Sequence, residues 1–116
     1  MKKATIPLLI LCLLFSACQK EESSAEYAFE AKVLGRNLDC GLYEIKIVKG
    51  LPQAEEIAGP TGDEGIYVAK NLPSQLETIG LKILLDVREI QNNELTPCTT
   101  LGISRPWLYV VRATKN

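Results

Sequence analysis

Glu55, Glu56, Asp63 and Glu64 are the residues of this chain whose type and spacing come nearest to a reaction. Two carboxylates facing one cleft can run glycoside hydrolysis, one as acid and the other as base or nucleophile. Asp63 and Glu64, helped by backbone carbonyls, could also take up calcium weakly, although EF-hand spacing is absent. All four acids lie between residues 50 and 65, among four glycines and two prolines. That stretch reads as a solvated acidic loop and not as a buried pocket. The chain has no histidine, so Ser-His-Asp and Cys-His arrangements are excluded and no imidazole can complete a zinc site. Gly59-Pro60-Thr61-Gly62 lacks the Gly-Lys-Ser/Thr end of a phosphate loop and reads as a turn. No catalytic residue, metal site or cofactor is expected.

The cysteines carry more. Lys2 and Lys3 precede an uncharged apolar run, Leu8 to Phe15, that contains Cys12 and ends in Ser16-Ala17-Cys18. The layout is that of a secretory signal peptide, and the small pair before Cys18 resembles a bacterial lipoprotein signal. Phe15 stands where such signals more often have Leu. The resemblance implies removal of residues 1–17 and acylation of Cys18. The alternative is an ordinary cut after Ala17 that leaves Cys18 a spare thiol. Gln19-Lys20-Glu21-Glu22 resembles the surface-export signal of Bacteroidota-type lipoproteins, with Lys20, Glu21 and Glu22 as its working residues. Ser23, Ser24 and Ala25 read as flexible linker, so residues 18–26 form a lipidated tether. The expected address is the outer membrane, on its outer surface, with the periplasmic face as the alternative.

Cys40 and Cys98 remain, a single pair in an oxidising compartment. A disulfide is expected. Neither has a Cys-x-x-Cys neighbour that would mark a redox or metal thiol. Without residues 1–17, the 13 basic residues lose Lys2 and Lys3, leaving 11 against 14 acids and a formal charge of −3. An acidic domain with no run of lysine or arginine is a poor polyanion binder, so no nucleic acid partner is expected.

Residues 27–114 read as one small domain. Tyr27, Phe29, Ala31 and Val33 alternate with Ala28, Glu30 and Lys32; Tyr43, Ile45 and Ile47 alternate with Glu44 and Lys46. Ile66 to Lys70 is a short third strand; Leu81 to Val87 is a fourth and Trp107 to Arg112 a fifth, both by their period of two. Ser74 followed by Glu77 makes a capping box, with Gly80 as the C-terminal cap, so a short helix is expected between strands three and four. A brief helical turn at Ala54 to Ala58 is the further candidate.

This order predicts a mainly β protein, a small five-stranded Greek-key barrel like the OB-fold. The marks Asp39-Cys40-Gly41, Asn71-Leu72-Pro73, Gly80, and Cys98 with Pro106 resemble those of small OB-like lipoproteins of Bacteroidota. The resemblance covers Phe29 to Arg112 and implies architecture and address, not a reaction. In such a barrel Cys40 and Cys98 would fall in the two loops that frame the usual ligand face. Tyr43, Tyr67, Trp107 and Tyr109 are candidates for a binding surface where they point outward.

The expected function is a non-catalytic, membrane-anchored binding module for a glycan, a peptide or an envelope partner. The alternatives are a structural or stress-sensing envelope lipoprotein and, last, an enzyme built on the acidic loop. The first test is the anchor. Cys18→Ser is expected to release the protein from membranes or leave it unprocessed, as read by cell fractionation; full membrane retention of a mature variant would remove the lipoprotein reading.

Overall fold

The computed structural model describes residues 26–62, 64–99, 102 and 104–116. The expected signal peptide (residues 1–17), Cys18, Lys20, Glu21, Glu22 and Asp63 therefore lie outside the described residues. Five strands form a closed barrel: β1 (Phe29–Arg36), β2 (Tyr43–Lys49), β3 (Ile66–Lys70), β4 (Lys82–Glu89) and β5 (Trp107–Lys115). Around the barrel the order is β1-β2-β3-β5-β4, the Greek-key order anticipated for an OB-like fold. Neighbours are antiparallel except β3 and β5, which run parallel through Val68↔Trp107, Ala69↔Leu108 and Lys70↔Tyr109.

Alternation decides what is inside. Phe29, Ala31 and Val33 of β1, Ile45 and Ile47 of β2, Tyr67 and Ala69 of β3, Ile83 and Leu85 of β4, and Leu108 and Val110 of β5 form one buried cluster. Burying a side chain of Val, Leu, Ile or Phe size stabilises by about 1.5–3 kcal/mol, so this cluster is the main source of stability. Strand β1 runs on through Gly35 to Arg36, beyond the Tyr27–Val33 alternation. It does so by a register shift between Val33 and Arg36 against β2, an irregularity that a Gly accommodates.

The helix is where the expectation is corrected. The α-helix, α1, spans Leu51–Ala58 and joins β2 to β3. Gly50 enters it in the left-handed region at φ 96° with Pro52 in its first turn, and Gly59 closes it by donating to Glu55 O at 2.8 Å. A Cβ at Gly50 would sit 2.7 Å from the Phe29 ring, so only glycine fits there. Ala54 is fully buried, and Leu51, Ile57 and Ala58 pack on the core. Glu55 and Glu56 thus ride on a helix and not in a loop.

Between β3 and β4, Ser74–Leu76 makes a single 3₁₀ turn without a side-chain cap. Competition for backbone bonds explains it. Gly80 N donates to Val33 O at 2.7 Å and Val33 N to Leu81 O at 2.8 Å. The residues that would have continued the helix are taken into the sheet beside β1, leaving Leu76 buried as the turn's contribution.

The start of the barrel is pinned by a polar clasp. Asp86 on β4 accepts from Ala28 N at 2.8 Å and from Arg112 Nε at 2.7 Å. Arg112 on β5 stacks over the Tyr27 ring, 4.2 Å from its centroid, and also donates to Glu26 O. Desolvation pushes the Asp86 carboxyl up, but the Ala28 N–H and the Arg112 guanidinium together outweigh it and hold it below the ordinary carboxylate range. A lowered native pKa means that the stabilisation is complete above the unfolded value, near 3.9, and is lost as pH falls through the native one. Thermal unfolding from pH 7 downward should therefore be flat until about pH 5 and then decline. Asp86→Asn is expected to lower stability at pH 7 and to flatten that decline; an unchanged acid slope would remove Asp86 from it.

Candidate functional site

Strand order brings the β1–β2 turn (residues 37–42) against the long β4–β5 connection (residues 90–106), and Cys40–Cys98 joins them with Cα atoms 4.4 Å apart. The bond links positions 58 residues apart in sequence. In the chain-entropy model a loop of that size is worth roughly 4 kcal/mol.

The turn is built by Asn37, the buried polar residue of the barrel end. Its Oδ1 accepts from Asp39 N at 2.9 Å and Cys40 N at 3.0 Å, an Asx turn. Its Nδ2 donates to Glu44 Oε2 at 2.8 Å, and Gly41 N returns to Asn37 O at 2.9 Å. Gly41 takes φ 72° to make this possible.

Asp39 then organises the opposite loop. Its side chain accepts from the Thr99 hydroxyl and from Gly102 N at 2.8 Å, while its carbonyl accepts from Thr99 N at 3.1 Å. A Cβ at Gly102 would stand 3.1 Å from Asp39 Oδ2, so the loop approaches the carboxylate closely. Arg105, whose side chain is 14% exposed, bridges Glu64 at 3.0 Å and Glu44 at 3.8 Å. On the β4 side, Arg88 forms a two-pronged pair with Glu94 and stacks 3.7 Å from the centroid of Tyr109. The Arg88 hydrogen bond holds Glu94 below the ordinary carboxylate range against desolvation.

Between the stapled loops lies a cleft of about 320 Å³, its walls including Cys40, Cys98, Thr96, Ser104 and Trp107. Leu95 on its wall is 47% exposed, and Leu38 at the tip of the β1–β2 turn is 91% exposed.

The sequence-derived candidates separate here. Trp107 is half-buried and lines the cleft. Tyr43 packs on the core with Arg36 5.5 Å above its ring, and Tyr109 lies beneath Arg88. Tyr67 is a correction. On β3 its side chain points inward, fully buried, and its hydroxyl donates to Gly59 O at 3.1 Å. Burial, with Glu55 nearby, pushes its phenol up against a lowering hydrogen bond with Thr61; it is core and not surface. Of the acidic stretch, Glu55 and Glu56 sit on α1 and Glu64 is tied to Arg105. Among the described residues no group of three or more cysteine, aspartate and glutamate side chains is placed to hold a metal ion. Asn37, Leu38 and Asp39 are not among the sequence-derived candidates; Asp39-Cys40-Gly41 counts there only as a mark of the OB-like resemblance.

Comparison with family models, with curated proteins and with solved structures finds no match for this chain.

Non-reducing mass analysis is expected to find neither Cys40 nor Cys98 free. Replacing both with Ser should lower stability by about 2–5 kcal/mol and release the Asp39–Thr99 and Asp39–Gly102 bonds. Amide exchange would report that release; unaltered protection at Thr99 and Gly102 would mean that the loops dock without the bond.

Proposed function

We propose that this chain is a non-catalytic binding module, tethered to the outer membrane through an acylated Cys18, whose stapled cleft takes an apolar segment of a partner envelope protein. The observation that carries the reading is the pairing of a rigid cleft with free apolar side chains at its edge. Leu38 and Leu95 stand in solvent on loops joined by a covalent bond. A large apolar residue held exposed on a rigid frame gains contact area on binding without a large ordering cost. Trp107 adds the type of aromatic wall that anchors interfaces.

The polar groups of the mouth favour a peptide over a glycan. Asn37, Asp39 and Arg105 already hydrogen-bond or pair within the scaffold, whereas sugar sites depend on polar groups that converge on the ligand. The same saturation supports a role without catalysis, because an acid or base must be free to exchange its proton with substrate.

Leu38→Glu with Leu95→Glu tests this at exposed positions, so the fold should be unaffected. Amide chemical shifts of the wild type, titrated with hydrophobic peptides from envelope proteins, are expected to move at residues 38, 95–99 and 107. The double variant should weaken binding at least tenfold, the equivalent of about 1.4 kcal/mol. Shifts produced by glycans alone, or confined to the α1 end, would sink the assignment.

A further inference from the structure

The barrel's register assembles a row of charge that the chain order conceals. Lys32 on β1 is paired directly with Lys46 on β2 and, on its other side, with Lys82 on β4. All three are exposed, and all three stand opposite one another on the outer face, since Val33, Ile45 and Ile83 beside them are in the core. Among the described residues none of the three has an ion-pair partner; Glu30 is engaged by Lys49 at 3.6 Å and by the Asn116 side chain at 3.1 Å. The domain has no run of lysine or arginine, but Lys32, Lys46 and Lys82, distant in sequence, become adjacent after closure. A groove of about 280 Å³ runs along this face, lined by Lys32, Lys82, Asn116, an exposed Val48 and Glu30, whose carboxylate is already engaged by Lys49 and Asn116.

Like charges directly opposite on neighbouring strands destabilise a sheet. Three in line, in a chain that is otherwise acidic, point to an anionic partner that repays the repulsion. We propose that the Lys46–Lys32–Lys82 row is a membrane-docking face that lies on anionic lipid head groups. The proposal rests on the tethered reading above for its setting, and it adds the surface by which the domain meets the bilayer.

Three observations favour lipid. The tether enters at the start of β1, the strand that carries the middle lysine, and the clasp of Ala28, Asp86 and Arg112 fixes that entry. The eleven-residue step from Cys18 to Phe29 reaches at most about 40 Å, so β1 cannot stray far from an acylated anchor. Outward positions beside the row are Glu30, Val48 and Lys49, with no aromatic ring on which a base could stack, and single-stranded nucleic acids are held by such rings. Lysine is a compact point charge suited to head-group phosphates at a surface, and each strengthens binding about fivefold near an anionic leaflet.

The test uses a chain beginning at Gln19. It retains every buried residue of the barrel, from Phe29 to Val110, and the disulfide, so it keeps the whole fold, and it carries no acylation site. Flotation with phosphatidylcholine vesicles is compared with flotation when phosphatidylglycerol is added. Binding is expected only with phosphatidylglycerol and should vanish in high salt. Each of Lys32→Gln, Lys46→Gln and Lys82→Gln should weaken it about fivefold, and the triple variant about 10²-fold, while Lys70→Gln on β3 should change it little. Thermal stability of the triple variant should be equal or higher, since a repulsion is removed. Equal binding to both vesicles, or a triple variant that binds like wild type, would overturn the proposal. So would single-stranded oligonucleotide binding that the triple variant abolishes. Because Cys18 is absent from this chain, the result is independent of the anchor, which the Cys18→Ser fractionation tests by itself.

Discussion

The short parallel seam between β3 and β5 is the contact on which the rest of the molecule depends. Three residue pairs make it, and without them the five strands would form an open sheet with two unpaired edges. Its ends are reinforced from outside the strands. Val68 N donates to Pro106 O at 2.9 Å, and Asn71, in the left-handed conformation at φ 69°, donates from its side chain to Val110 O at 3.0 Å. Closure then fixes everything else. It encloses the core, carries Trp107 to the mouth beside Val68, and brings β4 back to β1 so that Lys82 meets Lys32.

Closure alone does not shape the mouth. The β4–β5 connection is long, and a segment with few apolar anchors would sample many conformations at an entropic cost of about 1–2 kcal/mol per residue when ordered. Besides the bridges of Arg105 to Glu64 and Glu44, the chain restrains it at three further places among the described residues. Glu94 is held by Arg88, Thr99 and Gly102 are held by Asp39, and Cys98 is held covalently by Cys40. Two of the three lead back to the turn that Asn37 builds, so a single side-chain amide at the end of β1 sets the position of the loop across the mouth.

Periodicity made the strands legible. Alternation marked four of the five, and Ile66 to Lys70, an apolar run without alternation, matched the observed β3 at both ends. The disulfide was legible too, because elimination left one pair. What sequence could not show was competition and register. Ser74 and Glu77 have the right spacing for a capped helix, yet Gly80 and Leu81 bond to β1 instead. Pro52 and Gly59 looked like loop residues, but Pro in the first helical turn and Gly at the end are what helix termini prefer. Tyr67 read as a surface aromatic because its strand is buried on both faces, with Val68 and Ala69 also covered, and such a strand has no polar side to reveal its orientation. The lysine row is a property of register alone.

The ring order also separates the two surfaces. In the sequence β1-β2-β3-β5-β4, β1 lies across the barrel from the β3–β5 seam. The lysine row is centred on β1 and Trp107 begins β5, so they occupy opposite walls. Of the acids, Glu55, Glu56 and Glu64 belong to α1 and the approach to β3, while Glu30 stands on β1 beside Lys32 and is engaged by Lys49 and Asn116. If the proposed lysine row lies on an anionic surface, β1 faces that surface. That orientation leaves Trp107 and its wall of the cleft facing away from the bilayer, where a partner segment can reach it. The proposed tethering and the proposed binding are thus compatible on one small barrel, because its strand order puts Lys32 and Trp107 on different sides.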